Sequence, residues 1–132
     1  MISEPLRPLP NRQVADWLDR QEKSLLWTTA INLAELGAGV AVMPMGKRKT
    51  SLNHGITQVL SIYLAGRILQ FDAKAADSYA EIFAQAKASG RTIGLIDTQI
   101  AAIAKSIGFA VATRDVRPFE TAGIDAINPW TA

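Results

Sequence analysis

Cysteine is absent from the 132 residues, and that absence removes disulfides, thiolate nucleophiles, zinc–cysteine centres and iron–sulfur clusters together. A cytosolic setting fits. Histidine occurs once, as His54, so no multi-histidine metal centre can be built, and a Ser-His-Asp triad would have to rest on that residue. Ser51, Asn53, Thr57 and Gln58 surround it with a polar face, which assigns it no catalytic role. Charge of one sign is also lacking: 14 Lys plus Arg oppose 12 Asp plus Glu, a net +2 too mild to mark nucleic-acid binding by itself. No repeat or low-complexity tract is present. The first ten residues hold Glu4 and three prolines where a signal peptide would place a charged start and an apolar run. With thiols gone and one histidine left, any chemistry has to be carried by carboxylates.

What is present is the composition of a soluble globular protein, 48% apolar and 20% charged, with a mass of 14.2 kDa. That size predicts one domain over residues 1–132. Between Ser24 and Gly46 the only charged residue is Glu35. A central acid costs about 2.5–3.5 kcal/mol on membrane-insertion scales, and Thr28, Thr29, Asn32, Gly37 and Gly39 lower the hydropathy further. The segment therefore predicts a strand and a helix buried in a soluble core.

Periodicity and punctuation organise the chain. After Asn11, a cap following Pro10, Val14, Trp17, Leu18 and Gln21 recur at helical spacing. Leu25 to Thr28 predicts a buried strand, and Thr29 to Met43 a helix apolar nearly all round. Within it, Gly37-Ala38-Gly39 lacks the dinucleotide-binding spacing and predicts close helix packing. Pro44 and Gly46 break it. Lys47-Arg48-Lys49 then opens, as a solvated start, a helix whose inner face carries Leu52, Ile56, Val59, Leu60 and Tyr63, and Gly66 ends it. Arg67 to Phe71 predicts a strand, and Asp72 an N-cap before a stripe of Ala76, Tyr79, Ala80 and Phe83. A helix from Asp97 to Ile107 turns Ile100, Ile103, Ala104 and Ile107 inward, followed by strands at Phe109–Thr113 and Ile124–Ile127. Trp17, Trp27 and Trp130 are core or interface anchors. Strands alternating with helices require crossover connections, hence a three-layer α/β domain with a mostly parallel central sheet and helices on both faces. Function in such sheets collects beyond the carboxyl ends of the strands.

Three acids stand out. Glu35 is the lone charge on its apolar helix, either a functional carboxylate or a core Glu paired with an arginine. Asp97 opens the Ile-rich helix, where it can serve chemistry or complement the helix dipole. Asp115 lies two residues past the Phe109–Thr113 strand, at a strand end or simply in a turn. Three acids converging would raise each other's pKa unless a cation neutralised them. Oxygen-only ligands suit Mg²⁺ or Mn²⁺, the apparatus of phosphodiester hydrolysis. Arg91, Arg114 and Arg117 flank these acids and are candidate phosphate contacts.

The run Ile2-Ser3-Glu4-Pro5-Leu6-Arg7-Pro8, the segments Thr29–Leu36 and Asp97–Ala104, the stretch Ala112-Thr113-Arg114-Asp115-Val116 and the ending Asn128-Pro129-Trp130 together resemble PIN-domain proteins. Within that superfamily the chain is similar to the VapC toxins of bacterial type II toxin–antitoxin systems, in the FitB-like branch. The resemblance implies a Mg²⁺- or Mn²⁺-dependent endoribonuclease that cleaves structured RNA such as tRNA or rRNA. It also implies a homodimer, held inactive by a cognate antitoxin, with operator DNA bound only through that antitoxin. Glu35, Asp97 and Asp115 match acidic, metal-binding positions of the family's active site.

Family members open with a short apolar strand ending in Leu-Asp-Thr-Asn, and Met1 falls just after that point. The expectation is a PIN-like domain whose first strand and first acidic ligand are missing from this chain, through a start placed downstream of the native one or a true truncation. Two functions follow: a metal-dependent endoribonuclease toxin, or a catalytically inactive PIN-like module that still docks an antitoxin.

Overall fold

The computed structural model describes residues 12–131, apart from the side chain of Tyr63. The Ile2–Pro8 run and the Asn11 cap lie outside the described residues. The chain divides after Leu69 into two compact units.

In the first unit, α1 (Arg12–Arg20) buries Val14, and the Gln21 side-chain amide donates to the Trp17 carbonyl at 3.1 Å, closing the last turn. The strand predicted from Leu25 begins later: Lys23–Leu25 is a single 3₁₀ turn, Leu25 is exposed, and β1 is Thr28–Thr29. It pairs in parallel with β2 (Ile68–Leu69), Thr28 opposite Ile68. Arg67 secures this arrangement, its guanidinium donating to the carbonyls of Leu26, at 2.8 Å, and Lys23. Thr29 caps α2 (Ala30–Ala41) by accepting from the Asn32 N–H at 3.0 Å.

Here the structure corrects the sequence reading. α2 is not buried: Val40 alone is, and Ala34, Glu35, Gly37, Ala38, Gly39 and Ala41 face solvent. Apolar residues on every side say nothing about which sides are covered, and small ones expose little apolar area. Close packing at Gly37 and Gly39 is also absent, since a Cβ at either would meet no atom within 4 Å. After Gly46, at φ 151°, α3 (Lys47–Val59) starts with its three basic residues at the surface, as expected. A π-helical turn, Leu60–Leu64, ends in left-handed Ala65 and Gly66. Val59 at the end of α3 and Leu64 in this turn are buried.

The second unit is built on α4 (Ala73–Ala88) packed along α5 (Leu95–Ile107). Asp72 caps α4 as expected, its carboxylate accepting from the Ala75 N–H at 2.9 Å. Ala75 and Ile82 from α4, with Ile100 to Ala104 from α5, form the core, and Lys105 pairs with Glu81 at 2.8 Å along its edge. The stripe expected to face inward is displaced: Ala76, Ala80 and Phe83 are exposed. The seam toward α5 runs through Ala75 and Ile82, seven residues apart, and leaves the adjacent row open. Ile107, expected inside, is 42% exposed at the end of α5. β3 (Val111–Ala112) pairs in parallel with β4 (Ala126–Ile127). Between them a short helix, α6 (Arg117–Thr121), buries Phe119 against α5; Pro118 in its first turn fits a helix start.

The parallel sense expected of crossover connections is present in both pairs, each only two residues long. Among the described residues, no helix is long and apolar enough to cross a membrane.

Candidate active site

The first turn of α5 is fixed by Thr98. Its N–H and its hydroxyl both donate to the Gly94 carbonyl, at 2.9 and 2.8 Å, and its side chain is buried. This sets the direction in which its neighbour Asp97 projects. Asp97 is half-buried, its Oδ2 beside the Gly94 turn, 3.9 Å from where a Cβ there would stand. Unpaired N–H groups at a helix start favour a carboxylate in that turn. Two influences oppose ionisation: burial, the larger, and the negative charge of Asp115 both push the Asp97 carboxyl above the ordinary 3.8.

Asp115 occupies the turn between β3 and α6. Its Oδ1 accepts from the Arg117 N–H at 3.3 Å and lies 3.8 Å from Arg117 Nε. Both side chains are exposed, so this ion pair is a weak tether. Arg114 places its guanidinium over the Trp130 ring, 5.6 Å from the centroid. The Asn128 amide donates to the Arg114 carbonyl at 3.3 Å, and its oxygen accepts from the Trp130 N–H at 2.9 Å. The segment after β4 thereby holds the turn that carries Asp115. Trp130 is half-buried under Arg114.

Arg91 lies in the loop joining α4 to α5, exposed, beside an open groove of about 230 Å³ whose walls include Lys87, Thr92, Ile93 and Thr98. Glu35 belongs to the first unit and is solvent-exposed on α2, so the expected burial is absent there. Within the second unit the structure brings Asp97 and Asp115 into one electrostatic neighbourhood. Among the described residues, neither unit by itself gathers three or more His, Asp or Glu side chains in a group that could hold a metal.

Sequence reasoning missed Thr98 and Asn128 as positioning residues. The signal for Thr98 was available: a hydroxyl four residues after Gly94, able to bond back to that carbonyl. Asn128 reaches across fourteen residues to Arg114, which no local pattern encodes.

The family model described as PIN domain matches residues 2–124. The chain belongs to the PIN-domain family, alongside proteins named as VapC ribonucleases and FitB toxins. It is 47% identical over 132 residues to the plasmid stability protein StbB of Pseudomonas syringae pv. tomato, covering 100% of this chain and 95% of that protein. It is 49% identical over 130 residues to the VapC ribonuclease Y4jK of Sinorhizobium fredii, covering 98% and 93%. Its structure is similar to that of FitAcB from Neisseria gonorrhoeae, with a TM-score of 0.91, 44% identity, and 99% and 94% of the two chains covered.

Proposed function

We propose that this chain is a divalent-metal-dependent endoribonuclease toxin that cleaves structured RNA and is neutralised by a cognate antitoxin. The observation that carries the reading is the placement of Asp97, in the first turn of α5, within the field of Asp115, in the turn after β3, in a chain of the PIN family. Their donor set fits a hard cation: the atoms are carboxylate oxygens, and the repulsion that raises Asp97 is what a positive ion relieves. Asp97, Asp115 and Glu35 would hold Mg²⁺ or Mn²⁺. When bound, such an ion supplies acidification of water and neutralisation of charge on phosphate.

The chain's own residues do the rest. Thr98 fixes the turn from which Asp97 projects, and Asn128 holds the turn that carries Asp115. Arg91, Arg114 and Arg117 contact RNA phosphates, with Arg114 oriented by its stacking on Trp130. The antitoxin, and a second copy in a homodimer, find apolar surface near the end of α2, where Val42 and Met45 are 84% and 88% exposed. Operator DNA is engaged only through the antitoxin, in the cytoplasm. RNA cleavage by antitoxin-free protein, lost with EDTA and with Asp97→Asn, supports the mechanism. Cleavage indifferent to both sinks it.

One observation favours a second reading, a catalytically inactive module that docks an antitoxin: neither unit, among its described residues, assembles three carboxylates. Calorimetric titration of Mn²⁺ combined with an RNA-cleavage assay separates the two. Metal binding with cleavage supports the enzyme, and antitoxin binding without either supports the module.

A further inference from the structure

The row of α4 that the sequence turns inward and the structure leaves open is aromatic at one end and cationic at the other. Phe71, Tyr79 and Phe83 form a continuous ladder. Phe71 meets Tyr79 edge-on at 6.2 Å, and Tyr79 and Phe83 are nearly parallel, 13° apart at 6.3 Å. Phe83 ends the ladder 55% exposed, so part of its face is open to a ligand. Lys87 follows one turn on, and Arg91 after it. Phe83, Lys87 and Arg91 line one groove, and Thr98, the neighbour of Asp97, lines the same groove. The surface thus runs from stacked rings, past two cations, to the turn that holds the candidate catalytic carboxylate.

The charge distribution selects the occupant. At 3.6 residues per turn, Asp77 and Glu81 lie roughly 160° around the helix from Tyr79, on the opposite side. Glu81 is already engaged by Lys105 at 2.8 Å. Among the described residues, neither Lys87 nor Arg91 is paired with a carboxylate. A ligand matching this face has flat π surfaces for the rings and regularly spaced negative charge for the cations. Unpaired nucleotides carry both, whereas a duplex hides its base faces inside the stack.

We infer that the Tyr79–Phe83 face and the Lys87–Arg91 groove form a platform for single-stranded RNA, a looped-out segment of the substrate that stacks on Phe83 and runs toward Asp97. The inference rests on the ribonuclease reading and adds to it a defined surface on which the unpaired nucleotides of the substrate rest.

Fluorescence anisotropy on the full chain, freed of antitoxin and kept in EDTA so that nothing is cut, reads binding apart from chemistry. The probes are a short end-labelled single-stranded RNA and its duplex. Phe83→Ala is expected to weaken the single strand about tenfold and the duplex little, while Phe83→Trp, which keeps a π face, retains affinity. Lys87→Gln is expected to reduce the slope of log K against log salt by about 0.7. Equal single-strand binding by Phe83→Ala and wild type overturns the platform, as does a preference for duplex. So does loss of the antitoxin complex in Phe83→Ala with RNA binding intact, which assigns the face to a protein. Phe83-dependent binding together with cleavage that ignores Asp97→Asn overturns the catalytic reading alone, and Asp97-dependent cleavage with Phe83-independent binding overturns the platform alone.

Discussion

Asp97, in the first turn of α5, lies within the field of Asp115, in the turn after β3: the charge of Asp115 adds to burial in making Asp97 hold its proton more tightly than a free aspartate does. Two carboxylates that repel in this way are unfavourable at neutral pH, and a bound cation relieves the repulsion.

The first prediction concerns pH. In the metal-free protein, carbon-detected NMR titration should place the Asp97 pKa above the ordinary aspartate value, and Asp115→Asn should lower it part of the way, because burial is the larger cause. The folded state binds this proton more tightly than the unfolded state. Its stabilising contribution is therefore complete below the unfolded pKa and lost as pH rises through the folded one. Asp97→Asn should accordingly raise the apo melting temperature at neutral pH, with the gain shrinking as pH falls through the raised folded-state pKa and gone below about 4. A lower melting temperature at neutral pH would contradict the assignment.

Metal reverses that ordering. Mn²⁺ should raise the melting temperature of the wild type by binding the folded state, and Asp97→Asn should respond weakly. In single-turnover cleavage, Asp97→Asn should lose at least about a hundredfold. Asp115→Asn should lose less, since an amide oxygen can still act as a ligand and the change lets Asp97 ionise more readily. Equal activity of Asp97→Asn and wild type would rule out this role.

Two adjacent residues test the packing of α4. Ile82→Ala should cost about 2–5 kcal/mol in urea denaturation, because Ile82 is 1% exposed against α5. Phe83→Ala should cost no more than about 1.5 kcal/mol, its ring being half in solvent and held by the contact with Tyr79. Reversed magnitudes would mean that the row through Phe83, not the one through Ile82, faces the core.

Much of this architecture was legible in the sequence. Asp72 caps α4, left-handed Gly90 and Gly108 close α4 and α5, and strands alternate with helices in parallel pairs, because each of these rests on local chemistry. What periodicity cannot supply is the identity of the neighbour. The apolar residues of Ala30–Ala41 read as a buried helix, yet only Val40 is covered; Tyr79 and Phe83 read as core, yet the row through Ile82 meets α5. The candidate site divides the same way. Asp97 is visible as a first-turn acid, whereas its coupling to Asp115 depends on how α5 and the β3–α6 turn pack, and the exposure of Glu35 follows from α2 lying open.

The last prediction isolates a positioning residue. Asn128 holds the Asp115 turn with two hydrogen bonds of opposite sense, donating to the Arg114 carbonyl and accepting from the Trp130 N–H. Asn128→Ala removes both and should cost about 1–2 kcal/mol of stability. Asn128→Asp keeps the acceptor for Trp130 but replaces the donor with a second anion facing the Arg114 carbonyl, so it should recover only part of that loss. Because Arg114 and Asp115 move together when the turn loosens, both variants should raise KM for RNA and shift the Asp97 titration toward its ordinary value, as the field of Asp115 is averaged over more positions. A purely structural role would lower stability and leave that titration where it is in the wild type.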